Sequence, residues 1–201
     1  RDVERSRGLG DVYKRQVRNL EEEWRPDEQR RLVIGYQEPY GWSFTQKIES
    51  NLQHREPLLA FAEARVDMLD IQFLRGGSCS VAETRVGTQL VTETHGDPVR
   101  GKVPHTDNVG RMVQYTNTFE SQFKFARQLG IEPRANMGAT NCYVGSNFES
   151  EFSREHPDLN EGSALLYEIP EVREYILSLF EEMLEMGARH ITVDWLSLIH
   201  I

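Results

Sequence analysis

The chain has 201 residues, with 23 Lys and Arg against 32 Asp and Glu, for a formal net charge of −9. That acidic balance, without basic clusters, speaks against nucleic acid as a partner and against an anionic membrane surface. No apolar run is long enough to span a bilayer, and two cysteines, Cys79 and Cys142, fit either free thiols or one disulfide and assign no redox compartment.

The two ends do not read as parts of a fold. "DVYKRQ" at 11–16 can be written GAT GTG TAT AAG AGA CAG. The reverse complement of that DNA encodes "LSLIHI", which closes the chain at 196–201. A folded protein has no physical reason for such symmetry. The element resembles the transposase end of sequencing-library adapters, and "SRGLG" before Asp11 reads as more of the same adapter. Residues 1–16 and 196–201 are therefore expected to be translated adapter, with no bearing on the fold. Residues 17–195 are then an insert, a metagenomic fragment cut at both ends. Setting aside the five basic and three acidic residues of the ends leaves 18 basic against 29 acidic, and enough chain for one domain.

Within the insert, "RRLVIGYQ" predicts a strand at about 32–38. "REPLLAFAEAR" predicts a helix, with Pro57 in its first turn and Leu58, Phe61 and Ala62 as its apolar stripe. "VDMLDIQFL" predicts a second strand over 66–74. After a long loop with "RGGS" and "HGDP", residues 108–130 read as one helix, with Met112, Thr116, Phe119, Phe123 and Ala126 at helical spacing and Gly130 as its stop. "IEPRANM" predicts a third strand. "PEVREYILSLFEEMLEMG" predicts a helix whose core face is Val172, Ile176, Leu179, Met183 and Met186, and "RHITVDW" a fourth strand.

Strands alternating with helices imply parallel pairing through crossovers. The helix-to-strand connections are minimal, at Arg65, Gly130 and Gly187, while every strand-to-helix connection is long. In a parallel α/β protein the long loops then gather at the C-terminal ends of the strands. No G-x-G-x-x-G turn and no phosphate-binding loop is present. Three strands carry polar residues on alternate positions: Asp70 and Gln72; Glu132, Arg134 and Asn136; His190, Thr192 and Asp194. An open sheet covered on both faces would be apolar on both. The expected fold is the first half of a (β/α)8 barrel, with four parallel strands, three helices and the polar set facing inward.

Asp194 ends its strand and is the candidate catalytic carboxylate, as nucleophile or as acid/base. A helix cap or an ion pair would explain it equally well from position alone. Arg134 and Asn136, with Gln72 and Asp70, are candidate substrate-binding residues, or else an internal ion-pair network. Trp42, Tyr143 and Trp195, with Tyr40, lie on the loop-rich side, where aromatic rings could stack on sugars. The histidines show no H-x-H or H-E-x-x-H spacing, so no metal site and no cofactor is expected. Cys79 has no activating base in view.

"GIEPRANMG", "FSREHPDL" and "LLYEIPEVREYILSLFEEMLEMGARHITVDW" together resemble the glycosyl hydrolase-like family 10 barrels of environmental bacteria. The matching positions are Arg134 and Asn136, then Phe152, His156 and Pro157, then Pro170 to Arg173, then Ile191, Asp194 and Trp195. The likeness covers about residues 125–195 well and 30–124 loosely. Ala188, Arg189 and His190 stand where the family usually has Asp-Gly, and Asp158 is followed by Leu159 where the family often has Trp. The resemblance implies a carbohydrate substrate and hydrolysis of a glycosidic bond, with Asp194 as one of two carboxylates and the second on a later strand. The chain by itself is then expected to be inactive and poorly soluble. The alternatives are a non-catalytic carbohydrate-binding or scaffold barrel, and a metal-dependent barrel hydrolase or isomerase.

Overall fold

The computed structural model describes residues 31–42, 46–90, 104–139, 141–146 and 148–194. Both expected adapter segments and Trp195 lie outside the described residues. The described residues from Val33 onward belong to one compact unit.

Four parallel strands make the main sheet: β1 (Ile34–Gln37), β2 (Met68–Arg75), β3 (Glu132–Gly138) and β6 (Ile191–Asp194). Their spatial order is their order in the chain, β1-β2-β3-β6. This is the α/β architecture of half a (β/α)8 barrel; a doubly wound sheet would reverse its strand order. Between the strands lie α1 (Pro39–Trp42), α2 (Glu56–Glu63), α3 (Pro104–Tyr115), α4 (Thr118–Gln128), α5 (Glu151–Glu155) and α6 (Pro170–Glu185). A small antiparallel hairpin, β4 (Asn160–Glu161) and β5 (Ala164–Leu165), sits in the loop before α6.

The main core lies on one face of the sheet. Leu69, Ile71, Phe73, Leu74, Ala135 and Met137 pack there against Leu58 of α2, Phe119 and Phe123 of α4, and Val172, Ile176, Leu179 and Met183 of α6. A second cluster, Ile48, Cys79, Val81, Leu90, Val109, Met112 and Val113, supports the strand-to-helix loops.

The single helix expected over 108–130 is two helices. Its upstream half, α3, packs in the loop cluster, and its downstream half, α4, packs on the sheet. The chain breaks at Thr116 and Asn117. The Asn117 side chain accepts the Glu120 N–H at 2.9 Å and starts α4 afresh. Helical spacing ran unbroken across the junction because both halves bury one stripe.

The three helix-to-strand turns share one chemistry. Arg65, Gly130 and Gly187 have φ of 54°, 77° and 97°. The following residue closes each helix from five positions back: Val66 N–H to the Phe61 carbonyl at 3.0 Å, Ile131 to Ala126 at 2.9 Å, Ala188 to Met183 at 3.1 Å. This is the Schellman closure, which needs a left-handed residue.

Behind β1 runs a buried polar chain with one direction. Gln37 Nε2 donates to Gln122 Oε1 at 3.0 Å, and Gln122 Nε2 to His54 Nδ1 at 3.3 Å. His54 Nε2 meets Thr116 Oγ1 at 2.7 Å, and that hydroxyl donates to the Met112 carbonyl at 2.6 Å. The order fixes a neutral His54 with its proton on Nε2. Burial lowers its pKa from 6.5 to about 4.

Two measurements follow from these contacts. Gly187→Ala should cost about 1 kcal/mol, because a Cβ is disfavoured at positive φ, whereas Arg65→Gly should be neutral or mildly stabilising. Chemical denaturation of both variants checks the signs. For His54, folded and unfolded states are both neutral above pH 6.5, so nothing is gained or lost there. As pH falls from 6.5 to about 4, the unfolded state takes up a proton that the folded state refuses. Stability should fall by up to about 3 kcal/mol across that window. In His54→Gln the pH slope of unfolding free energy should be shallower by one proton; an unchanged slope would contradict a neutral His54.

Candidate active site at the strand ends

The face of the sheet away from the helices is polar. Alternation and register place Asp70 beside Arg134, Gln72 beside Asn136, Asn136 beside Thr192, and Gly138 beside Asp194. Arg134 grips Asp70 with two bonds, Nε to Oδ1 at 2.7 Å and Nη2 to Oδ2 at 2.8 Å. Asn136 Nδ2 donates to Thr192 Oγ1 at 3.1 Å. Further down the strands, Glu132 and His190 approach to 3.9 Å, with His190 about half exposed and Glu132 about a third.

A bulge changes the pattern on β2. Gln72 pairs with Asn136, but the next pair is Leu74 with Met137, so Phe73 is the extra residue. Phe73 and Leu74 both turn to the helix side, where the Phe73 ring lies 4.7 Å from that of Phe119. Arg75, which strict alternation would send outward, comes instead to the polar face opposite Gly138. There its Nε donates to Gln72 Oε1 at 2.7 Å, a terminal nitrogen donates to Glu38, and the guanidinium lies 5.4 Å over the Tyr40 ring.

These groups line a cleft of about 20 Å³, formed by Glu38, Gln72, Arg75, Ser78, Gly138, Asn141 and Tyr143. Its one aromatic lining residue is Tyr143, which connects to further rings. Tyr40 meets Phe148 edge-on at 5.3 Å, and Phe148 lies 6.3 Å from Tyr143. Tyr143 has φ of 48° and is largely exposed. Its loop is pinned by buried Glu149, which accepts the Gly145 N–H at 2.9 Å and the Ser153 hydroxyl at 3.3 Å. At Gly77 the neighbouring loop passes so close that a Cβ would lie 2.6 Å from Cys142 Sγ.

Tyr36 ties the two edge strands together from within. Its hydroxyl donates to the Asp194 carboxylate, from β1 to β6 across two intervening strands. Neighbouring strands lie about 4.8 Å apart, so a contact across two of them requires the sheet to curve with its polar face concave. Burial raises the Tyr36 phenol well above its ordinary range, and the charges of Glu38 and Asp194 add to the effect.

The sequence-derived candidates fall into distinct places. Asp194 is at the C-terminal end of β6 on the concave face, and Gln72 and Tyr143 line the cleft. Asp70 and Arg134 occupy each other lower on the strands. Asn136 is bonded to Thr192. Trp42 packs against both apolar clusters. Trp195 lies outside the described residues. Tyr36, Glu38 and Arg75 were not among the candidates. Tyr36 and Glu38 share a parity that counting along β1 would have exposed; Arg75 is reached only through the bulge. Both cysteines are buried and neither is in a disulfide, and burial raises Cys142 to about 11, which disfavours a thiolate. Among the described residues, no three His, Cys, Asp or Glu side chains converge as a metal site, and no helix is long and apolar enough to cross a membrane.

Asp70→Asn removes the charge that answers a largely buried guanidinium and should cost roughly 1–3 kcal/mol. Glu132→Gln, at the long and exposed contact with His190, should change stability by less than about 0.5 kcal/mol. Urea midpoints of the two variants measure the contrast.

No family model and no curated protein sequence matches the chain. Among solved structures, the crystal structure of an alpha-amylase from Lactobacillus plantarum is similar at 15% identity and a TM-score of 0.40. That similarity covers 81% of this chain and 37% of the amylase chain, so this chain spans little more than a third of that structure's length.

Proposed function

We propose that residues 17–195 are the first half of a (β/α)8 barrel of the glycosyl hydrolase-like family 10 kind, and that the whole barrel hydrolyses a glycosidic bond in a poly- or oligosaccharide. Asp194 is one of its carboxylates. The observation that carries this reading is the position of Asp194. It lies at the C-terminal end of β6, on the concave polar face, held by the Tyr36 hydroxyl beside the cleft that Tyr143 lines. Catalytic groups of such barrels sit at that end of the strands. Glycoside hydrolysis needs two carboxyl groups, one of which protonates the leaving oxygen. The exposed Tyr143 ring at the cleft suits the apolar face of a sugar ring.

The half-barrel part of the proposal draws on the sheet's two edges. β1 and β6 are the outer strands, and each leaves an aliphatic side chain partly exposed, Ile34 on one and Val193 on the other. Further β/α units would cover them. Residues 1–16 and 196–201 remain assigned to translated adapter on the strength of their complementary coding.

One observation favours a non-catalytic carbohydrate-binding barrel instead. Asp70, Arg134, Asn136 and Thr192 satisfy one another, as in a rigid scaffold. The full-length gene product assayed on a panel of glycans separates the two readings. Hydrolysis is expected, and Asp194→Asn should lower kcat by about 10²–10⁴-fold with little change in KM. Glycan binding without turnover would select the binding barrel. Activity lost on chelation would select a metal-dependent hydrolase.

A further inference from the structure

We propose that Glu38 is the second catalytic carboxylate of this mouth, in place of one from a later strand, and that Arg75 is its positioning residue. The proposal rests on the glycoside-hydrolase reading and deepens it. Glu38 directly follows β1, at the same end of the sheet as Asp194, and lines the cleft with Gln72, Arg75 and Gly138. Gly138 is the in-register partner of both Arg75 and Asp194, so only a residue without a side chain separates the cleft from Asp194. Tyr36, two residues before Glu38 on the same face, bonds Asp194 and feels the charge of both carboxylates. Carboxyl groups from opposite edges of the sheet thus both act on one hydroxyl, Asp194 by a hydrogen bond and Glu38 through its charge.

In the Glu38–Arg75 pair the two side chains are unequally exposed. The Arg75 side chain is 9% exposed, while that of Glu38 keeps 37%. The guanidinium is fixed on three sides, by Gln72, the Tyr40 ring and Glu38. The carboxylate it holds is presented to the cleft. The bulge at Phe73 supports the same conclusion, because without it Arg75 would point into the helix layer. Bulges of this kind re-aim side chains beside active sites.

The chemistry asked of the pair balances with water alone. The bond from the anomeric carbon to the leaving oxygen breaks, and that oxygen takes a proton from one carboxyl group. A new bond forms from the anomeric carbon to a water oxygen, and the water's proton passes to the other carboxyl group. No oxidant, reductant or cofactor enters.

The test uses the full-length protein on a glycan that it hydrolyses. Glu38→Gln should lower kcat/KM by about 10²-fold or more and remove one limb of the pH–rate profile. Glu38→Ala should regain activity when formate is added, because a small carboxylate can occupy the space. Arg75→Lys should shift that limb and lower kcat more than it raises KM. If Glu38→Gln does not fold, Glu38→Asp, which keeps the ion pair but withdraws the carboxylate, should show the same loss in kcat. The inference is overturned if folded Glu38 variants keep more than a tenth of wild-type kcat/KM with both limbs in place while Asp194→Asn is inactive; the glycoside-hydrolase reading then stands. If the wild-type protein hydrolyses no glycan, that reading fails and this assignment falls with it.

Discussion

Leu69, Ile71 and Leu74 of β2 have no solvent exposure, and neither do Ala135 and Met137 of β3. All five press against α2, α4 and α6. Removing that surface from water, at roughly 25 cal/mol per Å², is the driving force that sets the sheet in place. Because side chains alternate along a strand, committing one face to the helices commits the other to something else. In an open doubly wound sheet the other face would meet a second helix layer. Here it carries Asp70, Gln72, Arg134, Asn136, Thr192 and Asp194, and the strands curve around it. The concave polar face is a consequence of which residues were left over once the apolar set was buried.

Polar groups on a half-enclosed face must find partners, since an unpaired buried donor or acceptor costs about as much as several good contacts return. Low on the strands this is solved by closure within the face, Arg134 with Asp70 and Asn136 with Thr192. At the C-terminal ends the solution is different. Arg75 is fully engaged, but its carboxylate partner is left facing the cleft, and Asp194 is held from across the sheet by Tyr36. The lower layer is closed upon itself, and on the proposed reading the upper layer is the one that would meet a substrate. The two layers differ in how their polar groups are paired, not in residue type.

The long loops are held by buried carboxylates rather than by regular structure. Glu182 of α6, almost fully buried, accepts the Thr84 hydroxyl at 2.6 Å and the backbone N–H groups of Arg85 and Val86. Glu149 does the same for the loop that carries Tyr143. Each carboxylate accepts several donors at once, which offsets its desolvation. Together with the second apolar cluster they frame the mouth. A loop so anchored can differ in sequence without disturbing the sheet below it.

Much of the architecture was legible in one dimension. The four main strands, the alternation of strands with helices, the left-handed stops at Gly130 and Gly187 and the polar parity of β2, β3 and β6 are local properties, set by side-chain periodicity and by backbone sterics. So was the placement of Asp194 at a strand end. Three features were not. The break between α3 and α4 depends on which of two separate cores each half joins, and helical spacing is the same for both. The approach of Tyr36 to Asp194 depends on sheet curvature, which no single strand encodes. The inward turn of Arg75 depends on one extra residue opposite Met137, a matter of register between strands some sixty positions apart. Alternation tells which residues share a face as long as pairing is regular; only the pairing itself tells where regularity stops, and here it stops at the mouth.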